Sequence, residues 1–469
     1  MTDNKQSIND NISHITGTFL IDAAGSFLNG AGLGAGEDRN FTVVKKFSDG
    51  ISDNGRPYNV PFISSQAWRR WLRNTLIEET NWRASKIRAL HNNEAGNTDK
   101  SGGEFNPIEF PEDDIFGYMR AKKGSGKIEE AEWTDKEEEE EEKEGGEEEL
   151  VKEEGGTRIK GLFRTSPFSS SILVGLRKDG WEGRDQAYVH LLEGSPQPYK
   201  TQFMNTPLQG IFCLNYKRLG VFSNVGDKVE LDEATVKQFL DNKMISSLEI
   251  RSQQEEYYSL EKVSKTVKEK DKTSGKMVTK QKEVYEPKKK YGKVYEIANA
   301  KERRKERASA LIKALAVLRG GAKQAAFETD VAPKILILAG LTCGNPIFNS
   351  LFEDKNNSRT RGKSVILNIE ALKEITTDYK DRIKTPVFIG IRTGYLQNES
   401  EVRKLNSTMV NGIKFIVTTP INAACMIADC LNGEQSNEED KKMETPTDTI
   451  EAGSEAAKNS IDVKIESEV

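Results

Sequence analysis

The sequence predicts an α+β protein whose centre is a ferredoxin-like β-α-β-β-α-β core carrying large excursions. Two observations predict it. Strand-like and helix-like periodicities follow one another in that order along residues 12–28, 64–79, 159–222, 301–318 and 333–341. Between them stand polar or highly charged stretches with no apolar period, at 92–160 and 261–293, which read as insertions.

Residues 12–28 read as the first strand. Ile15, Gly17, Phe19, Ile21 and Ala23 alternate against His14, Thr16, Thr18, Leu20 and Asp22, and both sets carry apolar residues, which suits a buried central strand. A loop with glycine at 30, 32, 34 and 36 follows. Arg39, Lys45 and Lys46 then fall on a second strand before a Gly-Arg-Pro turn at 55–57. The helix at 64–79 divides into two faces at about 100° per residue. Gln66, Arg69, Arg70 and Arg73 form a basic stripe, and Trp68, Trp71, Leu72 and Leu76 cover the opposite side. Strand-like stretches run from Ile159 to about Phe222, with a projecting loop or hairpin at 177–204, and a helix is expected at 232–242. Residues 261–293 hold 12 lysines against 5 acids, with Thr273-Ser-Gly275 as a turn, and read either as an exposed hairpin or as a charged loop. The helix at 301–318 buries Ala308, Leu311, Ile312, Leu315 and Leu318 and stops at Gly320-Gly321. Strands at 333–341, 364–369 and 387–395 and an apolar helix at 420–431 complete the pattern.

The 469 residues carry a net charge of −5, which conceals a division. Residues 129–154 are −13 and residues 434–469 are −7, so the remainder is +15. A folded part of that sign suits a polyanionic partner. The acidic stretches, spanning 92–156 and 433–469 with their flanks, are poor in aromatic and branched apolar residues and are expected to be disordered. Cys213, Cys343, Cys425 and Cys430 show no metal-ligand spacing, so no metal and no cofactor is expected, and free thiols suit a reducing compartment. The polar N-terminus and the absence of an apolar run near 20 residues predict a cytoplasmic protein with no membrane partner.

Three stretches carry candidate chemistry. At the start of the 64–79 helix, Ser64 or Ser65 is placed to cap, and free N–H groups and the guanidiniums of Arg69, Arg70 and Arg73 converge as a phosphate site. The same pattern also fits an ordinary surface helix with solvated arginines. After the 301–318 helix, Lys323 and Gln324 emerge on a tight loop and suit a ribose-phosphate backbone, or else form a plain C-cap and polar turn. The aromatic and hydroxyl-rich run from Phe163 to Ser171, with Arg164, suits either single-stranded nucleic acid or an edge strand. The glycine loop lacks the third glycine of a dinucleotide fingerprint, because Ala35 stands there, and Gly124-Ser-Gly126-Lys127 is no Walker motif.

Ser26-Phe27-Leu28-Asn29, Ile63-Ser64-Ser65-Gln66-Ala67-Trp68-Arg69-Arg70 and Gly321-Ala322-Lys323-Gln324 occur in this order in one family. On these residues the chain resembles the backbone subunit of type I CRISPR Cascade complexes, most closely the DevR-type branch of subtype I-B-like systems, within the RAMP proteins. The resemblance spans roughly residues 12–90 and 157–430. It implies an RNA-recognition-motif palm, over 12–91 and 157–432, with finger and thumb insertions. Copies would assemble head-to-tail as a helical filament along a CRISPR guide RNA, join other Cascade subunits and present the guide for pairing with target DNA in antiviral defence.

Carried over by position, Arg69 and Arg73 would contact guide phosphates, with Ser65 and Gln66 at the helix start. Asn29 would border the guide, Lys323 and Gln324 would reach it from the late loop, and Arg70 would either join them or brace a neighbouring element. Arg39, Lys45 and Arg164 complete the candidate RNA-binding set. The expected protein is not an enzyme. The alternative is an endoribonuclease on the same palm, acting on CRISPR repeat or target RNA, for which Glu37, Asp38 and His14 are the local candidates. A duplex-DNA regulator has no helix-turn-helix or zinc spacing in its favour.

Overall fold

The computed structural model describes residues 11–32, 40–51, 55–91, 98–103, 105–120, 162–189, 193–225, 228–241, 250–270, 277–355 and 365–432. Arg39, Glu37, Asp38, His190, the turn at 273–275 and the acidic tracts at 129–154 and 434–469 lie outside the described residues. The chain divides into two units, Met1–Glu434 and Gln435–Val469, and every described helix and strand belongs to the first.

In chain order, β1 (His14–Ser26) is followed by β2 (Phe41–Thr42), β3 (Lys46–Ile51), β4 (Pro57–Ile63) and α1 (Ser65–Thr80). Next come β5 (Ile87–His91), β6 (Thr98–Gly103), α2 (Pro111–Phe116), β7 (Tyr118–Arg120), β8 (Leu162–Arg164), β9 (Phe168–Ser170) and β10 (Leu173–Gly175). The hairpin β11 (Glu182–Val189) and β12 (Gln197–Asn215) leads to β13 (Val221–Val225), β14 (Lys228–Val229) and α3 (Glu233–Asp241). Two 21-residue strands, β15 (Ile250–Lys270) and β16 (Met277–Ile297), precede α4 (Ala300–Ala316), the single turn α5 (Gln324–Phe327) and β17 (Ile335–Leu341). The C-terminal part adds β18 (Phe352–Asp354), β19 (Val365–Leu367), α6 (Ile369–Asp378), β20 (Val387–Ile391), α7 (Glu399–Arg403), β21 (Met409–Val410), β22 (Ile413–Thr418) and α8 (Pro420–Asn432).

The central sheet contains β17-β1-β12-β10 as neighbours, all antiparallel. With α1 and α4 as the two connections, that is the β-α-β-β-α-β core in its 4-1-3-2 strand order, so the expected α+β, ferredoxin-like class is present. β4 and β3 extend it on one side, and β20, β22 and β21 on the other, with β22 parallel to β20.

One face packs on helices. Phe19, Phe212, Leu208 and Leu338 from the sheet meet Trp68, Leu72 and Leu76 of α1, Leu311 and Leu315 of α4 and Ile427 of α8 in one buried cluster. Phe19 meets Trp68 edge-on at 5.3 Å. The opposite face, through Leu20, Ile335, Ile337 and Ile389, buries Phe348, Leu351, Leu372 and Leu405 of the C-terminal part. Both faces of β1 are therefore covered, as its apolar residues on both sides require.

A second sheet runs β15-β16-β13-β14-β8-β7. It departs from the composition-based reading at residues 105–120, which fold although they fall in the stretch assigned to an acidic insertion. The reason is pairing: Glu112, Asp113 and Asp114 of α2 are buried, and each meets an arginine.

Candidate nucleic-acid interface

The three sequence stretches on which the resemblance rests meet at one end of β1, although they span about 300 positions of the chain. Asn29 Oδ1 accepts a hydrogen bond from the Ser64 backbone N–H at 3.4 Å, and the Ala322 N–H donates to Leu28 O at 3.0 Å. Thr329 Oγ1 donates to Ser26 Oγ at 2.9 Å, closing the late loop onto the same strand end. A register shift between Ala23 and Ser26, with Gly25 at φ +60°, bends β1 just before this point. The bridge between Gly30 and Val44 and the Lys45 N–H bonded to Asn29 O bring Lys45 alongside.

α1 begins here. Ser64 caps it, its Oγ accepting from Ala67 N at 3.4 Å. The N–H groups of Ser65 and Gln66 find no acceptor among the described residues and face outward with the positive end of a 16-residue helix. Ser65 is half-buried, and Gln66 and Arg70 are exposed. Gln66, Arg70 and Lys45 make no side-chain hydrogen bond or ion pair with the described residues. Lys323, also exposed, has a left-handed backbone at φ +50°; its Nζ donates to Thr201 Oγ1 at 3.0 Å and stands 5.1 Å from the Phe27 ring centre.

The remaining candidates are placed otherwise. Arg69 turns inward: its guanidinium donates to Phe168 O, Ser170 Oγ, Phe116 O and Ser166 Oγ and lies between the Phe116 and Phe168 rings. No carboxylate among the described residues pairs with it, and burial lowers its pKa from the ordinary value. Arg73 pairs with Glu112 at 3.4 Å and Asp113 at 3.3 Å. Gln324 spends its amide on its own loop, donating to Gly320 O and accepting from Thr329 N at 2.7 Å.

Arg164 requires the firmest correction. Its side chain is wholly enclosed, bonded to Asp114 and to Glu230 at 2.9 Å and to the carbonyls of Asp114 and Val221. It cannot reach a ligand, because the Phe163–Ser171 run alternates and position 164 points into the protein. Arg39 lies outside the described residues.

Two participants escaped sequence reading. Phe27 carried a signal as part of the first stretch, whereas Thr201 carried none, since it reaches Lys323 only through the pairing of β12 with β1, which sets Met204 opposite Ser26. At the other end of β1, about 40 Å away at 3.3 Å per residue, His14 Nδ1 lies 2.8 Å from Ser13 Oγ. Among the described residues no group of three or more His, Cys, Asp or Glu could hold a metal, and no helix is long and apolar enough to cross a membrane.

No protein family profile matches the chain, and no curated protein matches it in sequence. Among solved structures, a chain of a CRISPR RNA-guided surveillance complex is 9% identical, with a TM-score of 0.37, covering 88% of this chain and 98% of that one. A chain of a CRISPR RNA-guided surveillance complex in a pre-nicking state is 9% identical, with a TM-score of 0.40, covering 89% of this chain and 100% of that one. Likenesses at this level carry no weight of their own.

Proposed function

We propose that the chain is a guide-RNA-binding subunit of a CRISPR surveillance complex, holding the RNA by its phosphates at the end of β1. The single observation that carries this reading is the junction of Asn29, the α1 N-terminus and the Lys323 loop. It sets outward N–H groups, Gln66, Arg70, Lys45 and Lys323 around one point of a palm whose 4-1-3-2 sheet suits the family that the sequence resembles. These groups suit phosphate and ribose and offer little means of reading base identity, which is what a protein accepting any guide sequence needs.

On this reading target DNA is recognised by pairing with the guide, and the protein needs no catalytic group. Copies join head-to-tail through a heterologous interface, which leaves each end open for another copy or a different subunit.

The test is the nucleic acid that the full chain retains on purification. A bound RNA of discrete length is expected. Lys45→Ala, Gln66→Ala, Arg70→Ala and Lys323→Ala should each weaken rebinding of unrelated guide sequences equally, and the three that remove a charge should flatten the salt dependence by roughly 0.7 per lost phosphate contact. Sequence-selective losses would overturn backbone recognition. Cleavage of repeat or target RNA by the purified protein, with or without divalent metal, would overturn the non-catalytic role.

A further inference from the structure

The β15–β16 hairpin has a second, unassigned surface. Its register runs without a break from Ile250 opposite Ile297 to Lys270 opposite Met277. β13 accompanies it only from Glu296 to Lys293, and beyond that level the ribbon has no further strand beside it among the described residues. At about 3.3 Å per residue the unaccompanied part extends roughly 50 Å. A long two-stranded ribbon is marginal alone, and this one carries 12 lysines against 5 acids over 261–293.

Residues directly opposite share a face, and successive residues alternate. The register therefore sorts the hairpin into two unlike faces. One carries positions Lys262, Lys268, Lys270, Lys289 and Lys293 against Glu256 and Glu283. Tyr258, Tyr285, Tyr291 and, buried nearest the root, Tyr295 fall on that same face. The other carries five lysines and Arg251, but against Glu255, Glu261, Glu269, Glu286 and Glu296, with Tyr257 as its one tyrosine.

Nearest the root the first face is covered, with Tyr295 and Ile297 buried, and it opens from Lys293 outward. Lys289, Tyr291 and Lys293 are exposed, while Gly292 between them is buried and a Cβ there would press on Val225. Tyr291 is 61% exposed, an unusual state for an aromatic in a strand, and Lys289 Nζ stands 5.6 Å from its ring centre.

We propose that this tyrosine–lysine face is a second polynucleotide site, distinct from the end of β1, that takes a single-stranded nucleic acid with bases stacked on the tyrosines and phosphates against the lysines. Stacking on aromatic rings needs bases free of a duplex, which selects single strands over double ones. The inference stands without the guide-RNA reading, since it uses none of the β1-end residues.

The test adds labelled 20-nucleotide poly-dT, poly-rU and a 20-base-pair duplex to the purified full chain over a range of salt. Both single strands are expected to bind more tightly than the duplex, and the two arms show which sugar is preferred. Tyr258→Ala/Tyr285→Ala/Tyr291→Ala should weaken single strands at least tenfold and leave the salt slope unchanged. Lys262→Gln/Lys268→Gln/Lys289→Gln/Lys293→Gln should flatten the slope by up to about 2.8, at roughly 0.7 per phosphate. Lys265→Gln/Lys280→Gln/Lys282→Gln/Lys288→Gln removes the same charge from the opposite face and should change affinity less than threefold. Equal losses from the two lysine variants, tighter binding of the duplex, or intact binding in the tyrosine variant would each overturn the proposal. RNA carried through purification should be unchanged in all three variants, and its loss would overturn the separateness of the two sites.

Discussion

Asn29 Oδ1 accepts the Ser64 N–H at 3.4 Å, so the residue that ends the first strand's motif fixes the entry to α1 35 positions later. Ser64 also caps the helix, so this bond orients the first turn and its outward N–H groups relative to β1 and the Lys323 loop. Asn29→Ala is expected to cost about 0.5–1.5 kcal/mol of stability and to weaken RNA retention more than that loss explains. Denaturant unfolding beside RNA rebinding checks it. Retention that falls only in proportion to the folded fraction would leave Asn29 a structural residue alone.

Arg164 and Arg70 are both arginines in stretches with a nucleic-acid signature, and they should behave oppositely. Arg164 is enclosed with Asp114 and Glu230, and Asp114 also meets Arg307. Arg164→Met leaves buried carboxylates short of a partner and should destabilise by about 3–5 kcal/mol without altering the salt slope of RNA binding in the protein that still folds. Arg70→Ala should alter that slope and leave stability within about 0.5 kcal/mol. Urea unfolding and salt titration of the two variants separate the roles.

That contrast marks what the sequence could reveal. The faces of α1 were legible because Trp68, Trp71, Leu72 and Leu76 recur at helical spacing, and all four are buried. The core order was legible because β1, α1, α4 and β17 each carry a clear period. Arg69, Arg73 and Arg164 were not distinguishable from Arg70, because periodicity places a residue on a helix or strand face and does not say what covers that face. Their partners Phe168, Ser166, Asp113 and Asp114 arrive from segments 40 to 100 positions away. β22 and its parallel pairing with β20 were missed for a related reason: a parallel neighbour leaves no turn signature.

Asp113 sits among Arg73, Glu112 and Tyr118, and burial with the adjacent Glu112 carboxylate raises its pKa to about 6, against the pull of Arg73. Between about pH 4 and 6 the folded chain then keeps a proton that the unfolded chain releases. Stability contributed by this group is full below about pH 4, falls as pH rises to 6, and is level above, with a total of about 3 kcal/mol. Asp113→Asn should remove this component, so the difference in unfolding midpoint between wild type and variant should change from pH 4 to 6 and stay constant from 6 to 8. Parallel curves over the whole range would show that Asp113 titrates normally.

Gly320 packs the Lys323 loop directly against α1. Its φ of +145° lies outside what side-chain-bearing residues adopt readily, and a Cβ there would overlap the Trp71 ring. Trp71 is buried in the palm core and Thr75 Oγ1 accepts the Arg319 N–H at 3.0 Å, so neither side of the contact has room to withdraw. Gly320→Ala should therefore cost about 2–4 kcal/mol from strain and overpacking together, and should also weaken RNA retention by displacing Lys323. Lys323→Ala keeps the loop in place and should weaken retention with stability nearly unchanged. Measuring thermal unfolding and RNA retention in both variants tests the coupling. A Gly320→Ala protein that is destabilised yet retains RNA as wild type does would show that the loop's position on α1 is dispensable for binding.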